Sequence, residues 1–179
     1  IDWPLEHVVK CLVFYHPDDP AALRAEQDAL LLEVWQACNK SGHELLLEVI
    51  LPENGPDKDE RHYHTMLEHF YQLGIKPDWW KLPPLSSASW QQITALIERE
   101  DPWSRGILIL GLDAPSDKLR AGFAEAAAHP MIKGFAVGRT IFGQPSRRWM
   151  QGELSDEALI EEVKHNYLTL IGYWREARR

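Results

Sequence analysis

Cysteine is scarce in this chain, with two among 179 residues, and no run of apolar residues approaches membrane-spanning length. Two isolated cysteines, Cys11 and Cys38, cannot build the disulfide framework of a small secreted domain, so a reducing cytoplasm is the expected compartment. A membrane helix needs about 20 consecutive apolar residues, and none is present, so no membrane partner is expected. No secretory signal pattern is legible. Positive charge is also short. Nineteen Lys and Arg face 27 Asp and Glu, for a formal net charge of −8, which argues against nucleic acid and anionic lipid as partners. An anionic small molecule would need a local cationic pocket. A starting methionine is missing as well. The chain opens at Ile1 almost directly into a strand and reads as a piece of something longer.

What is present is an ordinary globular composition, 45% hydrophobic and 26% charged, in one domain over residues 1–179. Two periodicities alternate along it. Val8–Tyr15 is a short apolar, β-branched run of the kind expected for a strand covered on both faces. Asp19 and Pro20 then suit the cap and first position of a helix. Strands are expected again at Leu45–Leu51, Asp78–Leu82, Ile107–Leu112 and Gly134–Thr140. Helices are expected over Glu60–Leu73, Ser89–Glu100, Ser116–Ala128 and Asp156–Arg178, the last capped by Ser155. Such alternation implies parallel strands joined by right-handed crossovers. A flavodoxin-like open sheet and part of a (β/α)₈ barrel both fit. A whole barrel has eight units over about 250 residues, so the barrel reading leaves roughly three units unaccounted for.

Three charges sit where charge is costly. Lys10 interrupts VVKCLVF, Glu48 interrupts LLLEVI and Lys81 lies in DWWKLP. An unpaired charge in a strand covered on both faces is strongly unfavourable. In a barrel, however, inward side chains of neighbouring strands converge. A lysine attacks a carbonyl only as the neutral amine, a form that desolvation and a neighbouring ammonium both favour. Lys81 then suits imine formation, with Lys10 as the second positive charge and Glu48 as proton shuttle. A Lys–Glu–Lys ion-pair network without catalysis fits the same spacing. Near the C-terminus, Gly138 and Arg139 form a Gly-Arg step. Gly111 and Asp113 end the preceding strand. In barrels, loops after the last strands often hold phosphate. These four residues are therefore the candidate phosphate side. His62, His64 and His69 share a helix, but the His62/His64 spacing puts them on different faces, so no metal is expected there. Asp18 follows a strand end, where either capping or the site mouth would use it. Trp79, Trp80, Trp90, Trp103, Trp149 and Trp174 are core candidates, with Trp79 beside Lys81.

The segments VKCLVFYHPDD, ELLLEVI, DWWKLP, ILGLDAP and GFAVGRTIF resemble, in order, strands four to eight of class I tagatose-bisphosphate-type aldolases. They are closer still to the aldolase-like domain fused behind 5-dehydro-2-deoxygluconokinase in bacterial myo-inositol catabolism proteins. That resemblance covers essentially the whole chain. It implies a (β/α)₈ TIM-barrel type fold, of which the C-terminal five βα units are present. It also implies Lys81 as imine former, Lys10 and Glu48 at the matching strand positions, and Gly138–Arg139 as the phosphate step. The implied reaction is cleavage of 6-phospho-5-dehydro-2-deoxy-D-gluconate to dihydroxyacetone phosphate and malonate semialdehyde, with no cofactor. The implied partners are a ketose phosphate, further copies in a homo-oligomer and an N-terminal kinase domain in the parent chain. The chain departs from those aldolases at Gly111-Leu112-Asp113, where they carry a small Ser-Ala-Gly turn. A non-catalytic sensing or assembly domain attached to the kinase is the alternative.

Overall fold

The computed structural model describes residues 3–179; Ile1, where the sequence opens, lies with Asp2 outside them. Strands β1 (Val9–Phe14), β2 (Leu45–Ile50), β3 (Trp79–Leu82), β4 (Gly106–Ile109) and β5 (Ile132–Phe135) alternate with helices α1 (Ala21–Ser41), α2 (Arg61–Gln72), α3 (Ser87–Glu100) and α4 (Ser116–Ala126). Helices α5 (Arg139–Met150) and α6 (Asp156–Ala177) follow β5. The five strands form one parallel sheet in the order β1-β2-β3-β4-β5. Sequential order means that the winding never reverses. Right-handed crossovers then place successive helices on the same face. The flavodoxin-like alternative requires a reversal of strand order and is not met.

Side-chain alternation along each strand separates two faces. Val13, Leu47, Val49, Trp80, Leu82, Ile107, Ile109 and Ile132 face the helices and form the core with Met66, Leu67, Phe70, Trp90, Ile93, Leu96 and Phe123. Phe70 and Tyr71 pack on Trp80, whose indole N–H donates to the Tyr71 hydroxyl at 2.9 Å. The opposite face carries Lys10, Leu12 and Phe14 on β1, Glu48 on β2 and Lys81 on β3. Leu12 and Phe14 are 41% and 49% exposed on that face. Apolar residues on both sides of each strand explain the continuous hydrophobic runs.

Several boundaries differ from expectation. The fifth strand begins and ends earlier than Gly134–Thr140, and Arg139 and Thr140 instead open helix α5. The sequence pattern does not signal that helix, because Gly143 and Pro145 lie within it and proline removes an interior helical hydrogen bond. A bulge at Lys133 shifts β5 against β4, pairing Ile107 with Ile132 and Leu108 with Gly134. The fourth strand stops at Ile109, because Leu112 and Asp113 both turn left-handed, with φ of 46° and 61°. Asp19 does not cap α1; its carboxylate accepts from the His16 amide at 3.1 Å. Ser155 does cap α6, accepting from the Ala158 amide. Trp80 and Trp90 are fully buried, but Trp103 is 89% exposed. Trp149 is partly exposed, at 43%, and its indole N–H donates to Asp156.

Candidate functional site

The β-sheet register builds the charged group. Glu48 pairs with Leu12 on one side and Lys81 on the other, and Lys10 pairs with Leu46, one same-face step before Glu48. All three side chains therefore leave the sheet on the face away from the helices. Lys81 Nζ stands 3.1 Å from Glu48 Oε1, and Lys10 Nζ stands 2.7 Å from Oε2. The carboxylate lies between the two ammonium groups, so Lys10 meets Lys81 through Glu48 rather than directly. Glu48 is 7% exposed, Lys81 14% and Lys10 50%. Oε2 is buried and its contact with Lys10 is ionic, without the alignment of a hydrogen bond. A buried carboxylate with one half-buried and one nearly buried counter-ion satisfies the rule that interior charge is paired.

At the carboxyl ends of the strands, a cleft of about 870 Å³ opens above this group. Its floor and walls include Phe14 and Ile50, the loop residues Pro52, Glu53, Asn54 and Lys58, Pro83 and Pro84 after β3, and Leu112, Asp113 and Arg139. Ile50 and Pro83 follow Glu48 and Lys81 by two residues on the same face, so the charged group lies one layer beneath the cleft. Carboxyl-terminal strand ends are where parallel α/β sheets place ligands.

Of the expected phosphate-side residues, Arg139 and Asp113 line this cleft and the neighbouring groove of about 720 Å³ between α5 and α6. Gly138 caps α5 without any side-chain partner, and a methyl group there would press on Phe142 at 3.1 Å. The Ile141 and Phe142 amides donate to the Gly138 carbonyl at 2.8 and 3.2 Å, which leaves the Arg139 and Thr140 amides as the open donors of the first turn. Gly111 is buried rather than lining the cleft. A Cβ on it would stand 2.8 Å from Val137, so it allows the β4–α4 turn to seat against the segment leading into α5. Thr140 Oγ1 ties the two together, donating to the Ala114 carbonyl at 3.0 Å. Two consecutive left-handed residues hold Asp113 at the cleft, a strained backbone that the packing around it maintains.

Lys58, Glu60 and Tyr63 also line this cleft, although the sequence marks none of them as a site residue. Burial pushes the Glu60 carboxyl up, but hydrogen bonds from the Ser86 amide and hydroxyl and from Ser89 outweigh it and hold the group below its ordinary value. Glu60 thereby fastens the start of α2 to the cap of α3. The Tyr63 hydroxyl accepts from the Leu51 amide at 3.3 Å. No periodicity announces these residues, because their partners lie on other loops. Trp79 shares the face of Lys81, and its indole N–H donates to Glu44 at 2.7 Å. Of the helix histidines, His69 meets Asp28 at 2.9 Å and His62 meets Asp57 at 2.6 Å.

No curated protein matches the chain. The model of a family described as "Uncharacterized protein conserved in bacteria (DUF2090)" matches residues 1–178, and among the described residues no helix is long and apolar enough to cross a membrane. Matched over all but its last residue, the chain belongs to this bacterial family.

Proposed function

We propose that this chain is a class I aldolase domain that forms an imine through Lys81 with a ketose phosphate. The observation that carries the reading is Glu48 set 3.1 Å from Lys81 Nζ, on the sheet face beneath the cleft. A carboxylate in that position accepts a proton from the ammonium, freeing the amine to attack the ketone carbon. The carbinolamine that results loses its hydroxyl as water, with the proton returned by Glu48. The iminium then draws the electron pair of the adjacent carbon–carbon bond as Glu48 removes the proton of the substrate hydroxyl, releasing an aldehyde and leaving an enamine. Lys10 balances the charge of Glu48. Arg139 and the α5 amides suit the phosphate, by charge-assisted hydrogen bonds and the positive end of the helix.

The resemblance to the myo-inositol catabolism domain supports 6-phospho-5-dehydro-2-deoxy-D-gluconate as substrate, with dihydroxyacetone phosphate and malonate semialdehyde as products. It also supports a (β/α)₈ barrel of which these are strands four to eight, a cytoplasmic homo-oligomer and a kinase domain in the same parent chain. Sequential strand order and a single helical face are in keeping with a barrel segment. Trapping with borohydride in the presence of dihydroxyacetone phosphate, followed by peptide mass analysis, tests the reading. A reduced adduct on Lys81 is expected, and a folded sample without one defeats it.

The paired charges also favour a second reading. A carboxylate engaging two ammonium groups at once is what a static ion-pair network does. In that case the domain senses sugar phosphate for its kinase neighbour. Lys81→Met would then leave phosphate binding and aldehyde production by the parent protein unchanged.

A further inference from the structure

We infer that the loops after β1 and β2 form a binding site for one divalent transition-metal ion, of the zinc class, using His16, Asp18 and His62. The three side chains come from different parts of the chain. His16 and Asp18 follow β1, and His62 opens α2. Their donor atoms all lie within 4.8 Å of one another. Donors around a four-coordinate zinc stand roughly 3.3–3.6 Å apart, given bonds of about 2.0–2.2 Å. The required contraction is therefore small, and Asp18 is 70% exposed and free to make it.

The histidines are held as metal ligands are held. His16 is fully buried, and its Nε2 donates to the Asp57 carbonyl at 2.9 Å. That bond sets the tautomer and leaves Nδ1 as the lone-pair nitrogen. Nδ1 now accepts from the Asp18 amide at 3.1 Å, a bond that the ion would replace, and faces Asp18 Oδ2 at 4.0 Å. The His62 ring lies with its centroid 4.5 Å from that of His16. Its Nε2 meets the Asp57 carboxylate at 2.6 Å, which adds a further oxygen beside the group. Two imidazoles and a carboxylate select a borderline ion over magnesium or calcium, which prefer all-oxygen shells.

Such an ion would clip the β1–α1 loop to the β2–α2 loop. Asn54 and Lys58 flank Asp57 in the second loop and both line the cleft, so metal binding would fix one of its walls. This inference stands independently of the aldolase reading.

Calorimetric titration of the EDTA-stripped whole chain with Zn²⁺, and in parallel with Mg²⁺, tests it. One saturable zinc site is expected and no magnesium site. His62→Ala and Asp18→Asn should each weaken zinc binding at least about tenfold, with hydrogen exchange of residues 52–60 slowed by zinc in the wild type alone. Absence of zinc binding by the wild type overturns the proposal, as does unchanged affinity in either folded variant. Should a variant fail to fold, zinc-dependent shifts of the His16 and His62 ring resonances in the wild type decide the matter. Their absence overturns it.

Discussion

Glu48 and Lys81 are direct partners across β2 and β3, and their side-chain termini meet at 3.1 Å on the sheet face opposite the helix-packed core. A proton can pass between two groups at that separation without the backbone moving. Replacing Glu48 with Gln keeps the shape and removes the base. Imine trapping on Lys81 should fall by about 10²-fold or more, the range over which positioned acid–base groups contribute. The same variant leaves two ammonium groups without their carboxylate. Lys10 is half exposed and water offsets much of that loss, so the destabilisation should be about 1–2 kcal/mol by urea unfolding. Trapping at the wild-type rate would remove Glu48 from the reaction.

Arg139 is one of two cations at the cleft, with Lys58 the other, facing Glu53, Glu60 and Asp113. Arg139→Ala should weaken inorganic phosphate binding by about 10-fold to 100-fold, as expected for loss of a charge-assisted contact of about 1.5–3 kcal/mol. Asp113→Asn should strengthen it, because a carboxylate beside the anion opposes binding. Competition against dihydroxyacetone phosphate in the trapping assay reads both effects.

Tyr15 supplies a pH prediction outside the site. Burial, followed by the neighbouring Asp28 carboxylate, pushes its phenol from an ordinary value near 10 up to about 12. The unfolded chain loses this proton first. Stability is therefore intact below pH 10 and falls as pH rises from 10 towards 12. Tyr15→Phe removes that contribution. Its hydroxyl lies beside Asp28 and Arg24 without a well-aligned hydrogen bond, so the substitution should change stability little at pH 7 and flatten the alkaline decline. Urea midpoints for both proteins between pH 8 and pH 12 test this.

Gly106 opens β4 at φ of 131°, and a Cβ there would lie 2.5 Å from the Met131 carbonyl oxygen. Backbone cannot yield as a flexible side chain can. Gly106→Ala should cost more than about 2 kcal/mol. Gly152→Ala, also at positive φ but in open space, should cost only about 1 kcal/mol. Thermal melts of the two variants separate the contact from the backbone preference.

The alternation of apolar runs and amphipathic stretches determined the five βα units, because strand and helix periodicities are local properties of the chain. It also marked Lys10, Glu48 and Lys81, since a charge within a continuous apolar run is conspicuous wherever the run goes. Local pattern could not show α5, where Gly143 and Pro145 disguise the helix, nor the left-handed turn at Leu112 and Asp113, which is held by packing against the segment before α5. Only tertiary structure decided the sequential strand order, because pairing joins residues tens of positions apart. Register then set the two lysines on opposite oxygens of one carboxylate, and loop packing brought His16 and Asp18 to His62. Those distances depend on how separate elements stack, a relation that sequence spacing does not carry.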